Sequence, residues 1–318
     1  MQFAQPLSER LLGAAASALA EYPEVGFRVY GRAVDPSLTW LGRFTHIRDL
    51  TIDLWHATSF DLLASFKRLQ KLSLGETASR RPSLAFLRSL PAIEILRVEA
   101  HGKDFAAVGE LTNLRQLHLR VPRVKTLESL RGHRALEVVT MDFGGIRDLT
   151  PLGDLPALRA LELYQVRKLD THDLDAIGEC RSLMALSLGA LRNVTRLSAL
   201  ARGPKNTLRY MTLEKMGGLE TLEDLGSCTA LEQLQLVESK PKDGRLDVVA
   251  HGSALRHLVV GDHYPKQQLE ATLAAFEGET LWVRGKALRG DTDRSNVDVS
   301  WRRPVEQYLS LPSVASGK

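Results

Sequence analysis

In the stretch LTPLGDLPALRALEL, residues 149–163, leucine occupies every third position from Leu149 to Leu161, then the second position on, at Leu163. A spacing of three does not suit an α-helix. Around a 3.6-residue turn the five leucines drift by about 60° per step and define no single apolar face. Pro151, Gly153 and Pro156 also interrupt a helix, because proline lacks the amide donor and clashes with the preceding turn. A half-buried strand repeats at two, and only Leu161 to Leu163 does so. The pattern predicts tight turns, each burying one leucine, that run into a short strand.

The unit recurs. The pattern LxxLxL, with Ile, Val or Met allowed, begins at Ile47, Leu69, Ile93, Leu114, Leu136, Leu158, Leu183, Leu208, Leu231 and Leu255. Degenerate copies stand before it at Phe27 and Val29, and after it at Leu281 and Val283. No unit of this length can bury its own leucines, so neighbours must stack into one continuous core. The fourth and sixth positions then face inward, and the third, fifth and seventh face the opposite side of the sheet.

This repeat resembles the leucine-rich repeat family, whose period is about 20 to 29 residues. The closest match is the 22-residue type of internalins and of phosphatase-regulator-like repeat proteins, which suggests a bacterial protein. The copies Leu114, Leu117, Leu119, Val124, Leu127, Leu130 and Leu136, Val139, Met141, Ile146, Leu149, Leu152, Leu155 fit position by position. The resemblance implies a right-handed α/β solenoid of about 11–12 repeats, with a parallel concave β-sheet and capped ends. There is one departure. The family's ninth position usually carries Asn, and here it holds Trp55, Thr77, His101, Pro122, Gly144, Val166, Leu191, Met216, Ser239 and His263. The aliphatic run Val166, Leu191, Met216 is expected to pack that corner with apolar contacts instead of an Asn ladder. The expected organisation is a capping helix within 1–22 (Leu7 to Glu21), a repeat array over 23–284, and a C-terminal cap with a disordered tail over 285–318. In that cap Val297, Val299 and Trp301 have strand spacing.

Composition adds limits. The chain has 318 residues, 44% hydrophobic and 25% charged, with a net charge of +4. That is globular composition, and too weakly basic to argue by itself for nucleic acid. No apolar run reaches the roughly 18 residues of a membrane span. The alanine-rich LLGAAASALAEY segment follows Glu9 and Arg10, whose charges cancel. It therefore reads as an amphipathic helix and not a signal peptide, and a cytoplasmic protein is expected. Cys180 and Cys228 each stand three residues before a repeat's first leucine, where other copies have Phe44, Phe66, Leu90, Leu111 and Leu155. They are expected to be core residues rather than a disulfide.

No catalytic pattern is present: no phosphate loop, no G-x-S-x-G elbow and no H-E-x-x-H. His251, His257 and His263 fall at different positions of the repeat and read as scattered surface histidines rather than metal ligands. The expectation is a protein that is not an enzyme and has no cofactor.

The remaining signal lies on the strand surface. Acidic residues mark the seventh or eighth position at Asp53, Glu76, Glu99, Asp142, Glu214, Glu238 and Asp262, and a basic ribbon including Arg80, Arg123, Arg147 and Lys240 follows a few residues later. The acidic ribbon breaks at the repeats from Leu158 and Leu183, which carry Tyr164 and Gly189 there. Small or apolar residues surround the break: Val138, Ala160 and Ala185. A tyrosine-bearing, low-charge patch ringed by charge is the composition of an interaction hot spot. Tyr164 and Tyr210 are its expected centre. Glu162, Asp142, Thr140, Ser187, Thr212, Glu214, His118 and Arg120 are the expected surrounding contacts. The function expected is a protein–protein interaction module that holds one partner on the concave face, as a monomer or in a one-to-one complex. A basic partner would fit the acidic rim, and an inhibitor, immunity-type or scaffold protein would fit the whole. Two alternatives belong to other classes. One is nucleic-acid binding along the basic edge, opposed by the adjacent acidic ribbon and the lack of interleaved aromatics. The other is a structural assembly subunit.

Overall fold

Each LxxLxL segment forms one short strand, because two large apolar residues separated by one residue bury the same side of an extended chain. A computed structural model describes residues 1–289, apart from Ala33, Arg80, Pro122, 251–253, Asp262 and 284–285. The chain divides into two units, 1–144 and 145 onward.

In the first unit the strands are β1 (Gln2–Phe3), β2 (Phe27–Tyr30), β3 (Asp49–Asp53), β4 (Lys71–Leu74), β5 (Ile95–Glu99), β6 (Gln116–Arg120) and β7 (Val138–Asp142). They pair in parallel, in chain order. The register sets like on like: Leu50, Leu72, Leu96, Leu117 and Val139 form one inward row, and Ile52, Leu74, Val98, Leu119 and Met141 the next. All ten are buried, and each such side chain contributes about 1.5–3 kcal/mol of transfer free energy.

The second unit holds β8 (Ala160–Tyr164), β9 (Ala185–Gly189), β10 (Tyr210–Glu214), β11 (Gln233–Val237), β12 (His257–Val260), β13 (Thr280–Val283) and β14 (Lys286–Arg289). Strands β8 to β13 are parallel, and β14 runs antiparallel to β13. Leu161, Leu186, Met211, Leu234, Leu258 and Leu281 form one inward row.

The leucines spaced at three find their place in the connections, most of which are short 3₁₀ turns. Three residues per turn is the 3₁₀ period, so residues at i and i+3 eclipse and fall on one row. The backbone follows the same spacing. The N–H of Leu152 donates to Leu149 O at 2.9 Å, that of Leu155 to Leu152 O at 3.2 Å, and that of Leu158 to Leu155 O at 3.2 Å. Phe60, Leu63, Phe66 and Leu69 repeat the arrangement in the first unit. Among the described residues four helical segments accompany these turns: α1 (Glu9–Glu21), α2 (Thr150–Gly153), α3 (Asp247–Ala250) and α4 (Lys266–Ala275).

The ends differ in detail from the expected caps. Helix α1 begins at Glu9 rather than Leu7, because Ser8 takes the N-cap and accepts from the Leu11 N–H. It is preceded by β1, whose Gln2 and Phe3 pair with Arg28 and Val29. The ten-residue α4 is longer than the short turns expected, and β14 ends the parallel run. The strand-like Val297, Val299 and Trp301, with the rest of the tail, lie outside the described residues.

The corner after each strand is built in two ways. At the eighth position Ala100, Val121, Phe143, Gln165, Ala190, Lys215 and Glu238 all have positive φ, between 47° and 64°. The left-handed turn aims the amide at the next strand's last carbonyl: Ala100 N–H donates to Arg120 O, Val121 to Asp142 O, and Ala190 to Glu214 O. At the ninth position Val166, Leu191 and Met216 are buried, as the apolar corner requires. Other copies are polar. His101 Nε2 lies 3.0 Å from Gly75 O, and Ser239 Oγ accepts from the Met216 N–H at 3.0 Å. Cys180 and Cys228 are buried and free, and burial pushes their thiols up to about 12 and about 11.

A β-branched residue in the left-handed region is strained by about 1–2 kcal/mol, so Val121 at φ 47° works against the fold. Val121→Asn, which tolerates this backbone, is expected to raise the thermal unfolding midpoint, by the equivalent of about 1 kcal/mol. Leu119→Ala, in the adjoining inward row, is expected to cost about 2–5 kcal/mol. Calorimetry of both variants checks the pair, and a lowered midpoint for Val121→Asn refutes the strain.

Candidate functional site

The outward positions fall in register as strictly as the inward ones. In the first unit β6 and β7 bring together His118, Arg120, Thr140 and Asp142. His118 Nδ1 lies 2.9 Å from Thr140 Oγ1. Its Nε2 is buried and has no hydrogen-bond partner among the described residues. Burial, with the Arg97 charge next to it, lowers the His118 pKa to about 4, so the ring is neutral at physiological pH. Arg120 pairs with Glu99 at 3.2 Å and its guanidinium stands 5.7 Å over the Phe143 ring. Asp142 is half-buried.

In the second unit three outward rows cross the sheet. Ala160, Ala185, Tyr210 and Gln233 form the first, Glu162, Ser187, Thr212 and Gln235 the second, and Tyr164, Gly189, Glu214 and Val237 the third. Tyr164 does not stand up from this surface. Its ring lies over Gly189, so closely that a Cβ on residue 189 would overlap it. Its hydroxyl reaches across β9 to donate to Glu214 Oε1 at 3.5 Å. Glycine at 189, which breaks the acidic ribbon in the sequence, is therefore the seat of the tyrosine ring. Glu214 also faces Lys215 Nζ at 3.8 Å, and the same ammonium lies 3.6 Å from Glu238.

Solvent access differs from what strand alternation predicts. Ala160 and Ala185 are fully buried, Glu162 and Ser187 are 6% exposed, and Thr212 is 5% exposed. Alternation fixes the direction of a side chain and not its cover. The short Ser187 and Thr212 stand side by side in register between Glu162 and Gln235, and the tilted Tyr164 ring closes over the adjoining row. Tyr164, Tyr210 and Glu214 remain half-buried, and burial raises the Tyr210 pKa. Gln233 and Gln235, at 2% and 3% exposure, are buried amides on this face that the search for aromatic and charged residues passed over.

The acidic ribbon is largely paired, and in the basic ribbon Arg123, Arg147 and Lys242 face carboxylates. Arg28 Nη2 meets Asp53 at 2.6 Å, Arg123 meets Glu76 at 3.9 Å, and Arg147 meets Asp170 at 3.4 Å. Arg80 and Asp262 lie outside the described residues. Among the described residues no group of three or more His, Cys, Asp and Glu is placed to hold a metal. His257 is half-buried on β12 and His263 is exposed, while His251 lies outside the described residues. No helix among the described residues is long and apolar enough to cross a membrane.

The neutral His118 makes the fold acid-sensitive. Its folded-state pKa lies below the ordinary 6.5. As pH falls from 6.5 towards 4, the unfolded chain takes up a proton that the folded chain refuses. Stability is therefore lost across that window, by on the order of 3 kcal/mol from this group. His118→Asn is expected to flatten that part of the profile, as read from urea unfolding at pH 7 and pH 4.5. An unchanged slope removes His118 as its source.

No family model matches the chain, and no curated protein matches it in sequence. Solved structures do. The internalin InlF of Listeria monocytogenes is similar at TM-score 0.60 and 19% identity, over 82% of this chain and 75% of that one. The functional domain of InlJ of the same species, which includes a cysteine ladder, is similar at TM-score 0.51 and 14% identity over 81% of this chain. A TLR13 chain, solved in complex with ssRNA13, is similar at TM-score 0.55 and 17% identity over 81% of this chain. The alignments span 52% of the InlJ domain and 38% of TLR13. The leucine spacing, the like-on-like strand register and these likenesses together identify the fold of this chain as that of the leucine-rich repeat proteins.

Proposed function

We propose that this chain is a non-catalytic protein-binding module that holds a protein partner on its outward strand face, with Tyr164 and Tyr210 as anchors. The observation that carries the reading is the setting of Tyr164. The ring is pinned over Gly189 and tied through its hydroxyl to Glu214. A tyrosine fixed before contact gives up little side-chain entropy on binding, and aromatic anchors of that kind dominate interface energetics. Glu214 and Glu238 share one ammonium, that of Lys215. The rim beside the tyrosines therefore favours a basic contact from the partner, and an inhibitor or immunity-type protein that masks a basic protein fits this arrangement. In the first unit His118, Thr140, Arg120 and Asp142 offer a second polar set for the same partner class. A cytoplasmic protein, acting as a monomer or one-to-one, is part of the proposal and agrees with two buried free thiols.

Nucleic-acid binding is the weaker reading, because the acidic ribbon runs beside the basic edge and Arg123 and Arg147 already face carboxylates. A low-salt gel shift separates the two classes.

The test is affinity capture from the cell of origin, followed by measurement of Kd for the retained protein. Tyr164→Ala, Tyr210→Ala and Gly189→Ala are each expected to weaken binding by about tenfold or more, since truncating an anchor costs about 2 kcal/mol. The thermal midpoints of the tyrosine variants should stay close to that of the parent. Full affinity in both tyrosine variants places the partner elsewhere.

A further inference from the structure

The first unit holds a cavity of about 190 Å³ that is separate from the strand face. Its lining is mixed: the apolar part comes from four places in the chain, Phe3 of β1, Leu12 of α1, Val29 of β2 and Trp40, and Gln5 also lines it. Leu12 and Val29 are buried. Trp40 is held by edge contacts to Phe27 and Phe44, with centroids at 6.4 and 6.2 Å, and its Nε1–H donates to Asp35 O at 3.4 Å. Two exposed residues with carboxylates, Glu9 and Asp35, are also part of the lining.

These two carboxylates are not equivalent. Glu9 is paired with Arg43. Asp35 has no ion-pair partner among the described residues. Its oxygens accept from the Ser37 N–H at 2.9 Å and the Ser37 hydroxyl at 2.7 Å. Those bonds hold its pKa below the usual value and fix its position. A carboxylate has about four acceptor sites, so Asp35 keeps room for a further donor. The lining therefore includes one oriented carboxylate without an ion-pair partner among the described residues, together with an indole.

Size and charge together select the ligand. A cavity of about 150 Å³ accommodates benzene, so 190 Å³ admits one ring with a short link. Apolar walls with a few oriented polar groups are the usual make-up of a small-molecule site. An anion would meet the Asp35 carboxylate, which has no ion-pair partner among the described residues, and a neutral polar head would leave that charge uncompensated. A cation gains a charge-assisted hydrogen bond there and an aromatic neighbour in Trp40.

We propose that this cavity binds a small organic ammonium, with its aryl or branched aliphatic body between Leu12, Val29 and Trp40 and its charged nitrogen at Asp35. The site shares no residue with the tyrosine face, so it stands or falls independently of the partner-binding reading.

The experiment uses the full chain and three probes of matched size: phenethylammonium, 2-phenylethanol and 3-phenylpropionate. Binding is followed by ligand-observed NMR and by Trp fluorescence. Phenethylammonium is expected to bind saturably and at least about tenfold more tightly than the alcohol, as a charge-assisted bond requires. The propionate should not bind. Asp35→Asn, at an exposed position where folding should survive, is expected to bring the ammonium down to the affinity of the alcohol. Ser37→Ala, which frees the carboxylate to move, should give an intermediate loss. Absence of saturable ammonium binding at millimolar concentration, equal binding of the alcohol, or an ammonium preference that survives Asp35→Asn overturns the proposal.

Discussion

The interaction on which the rest of this molecule depends is a backbone hydrogen bond of span three between buried leucine-type residues. In the run Leu149, Leu152, Leu155, Leu158 each amide donates to the carbonyl of the leucine before it. The bond and the side chain thus share one period. Successive turns of span three, here with the single helical turn α2, keep all four side chains on a single row, where a continuous α-helix would spread them around its axis. Such turns have poor hydrogen-bond geometry and do not persist alone. They persist here because each row is buried against the same row of the next repeat, so every repeat stabilises its neighbours more than itself.

The corner that follows each strand carries that order from one repeat to the next. A left-handed eighth residue points its amide at the following strand's end, as Ala190 does to Glu214 O at 2.7 Å. The backbone itself makes the inter-repeat bond, so the ninth side chain is free to vary. Val166, Leu191 and Met216 fill the corner with hydrocarbon, while His101 and Ser239 reach a neighbouring backbone group. The absence of an Asn ladder therefore alters the chemistry of the corner and leaves the register intact. That register is what brings Tyr164 beside Gly189 and Glu214.

What was legible in the sequence followed from periodicity, and what was not followed from relations between repeats. The inward rows, the ten main strands, the burial of Cys180 and Cys228 and the apolar corner all depend on spacing within one repeat. Strand β1 has only two residues and shows no period. The posture of Tyr164 depends on the residue 25 positions later that happens to lack a Cβ. The closure of Ser187 and Thr212 depends on side chains in the flanking strands, and the cavity by Trp40 on residues drawn from β1, α1, β2 and the loop after β2. None of these is encoded in a single repeat, so a pattern that reads each repeat alone gives directions of side chains without their cover.

The charges illustrate the same division. Arg196 donates twice to Asp224, whose side chain is 10% exposed and which also accepts from the Leu197 N–H at 2.8 Å. Burial pushes the Asp224 pKa up, but these hydrogen bonds outweigh it and hold the carboxyl below its usual value. That pair is part of the architecture. Pairs such as Arg28–Asp53 and Arg120–Glu99 are more open to water, and each contributes only about 0–1 kcal/mol. Within each such pair the two charges offset one another at close range, so the pair itself adds little field beyond the surface. On the proposed reading, a partner would be held mainly by shape and apolar contact at the tyrosines, with the acidic rim beside them. Affinity would reside mainly in the dissociation rate, with salt acting on the basic contact at the rim.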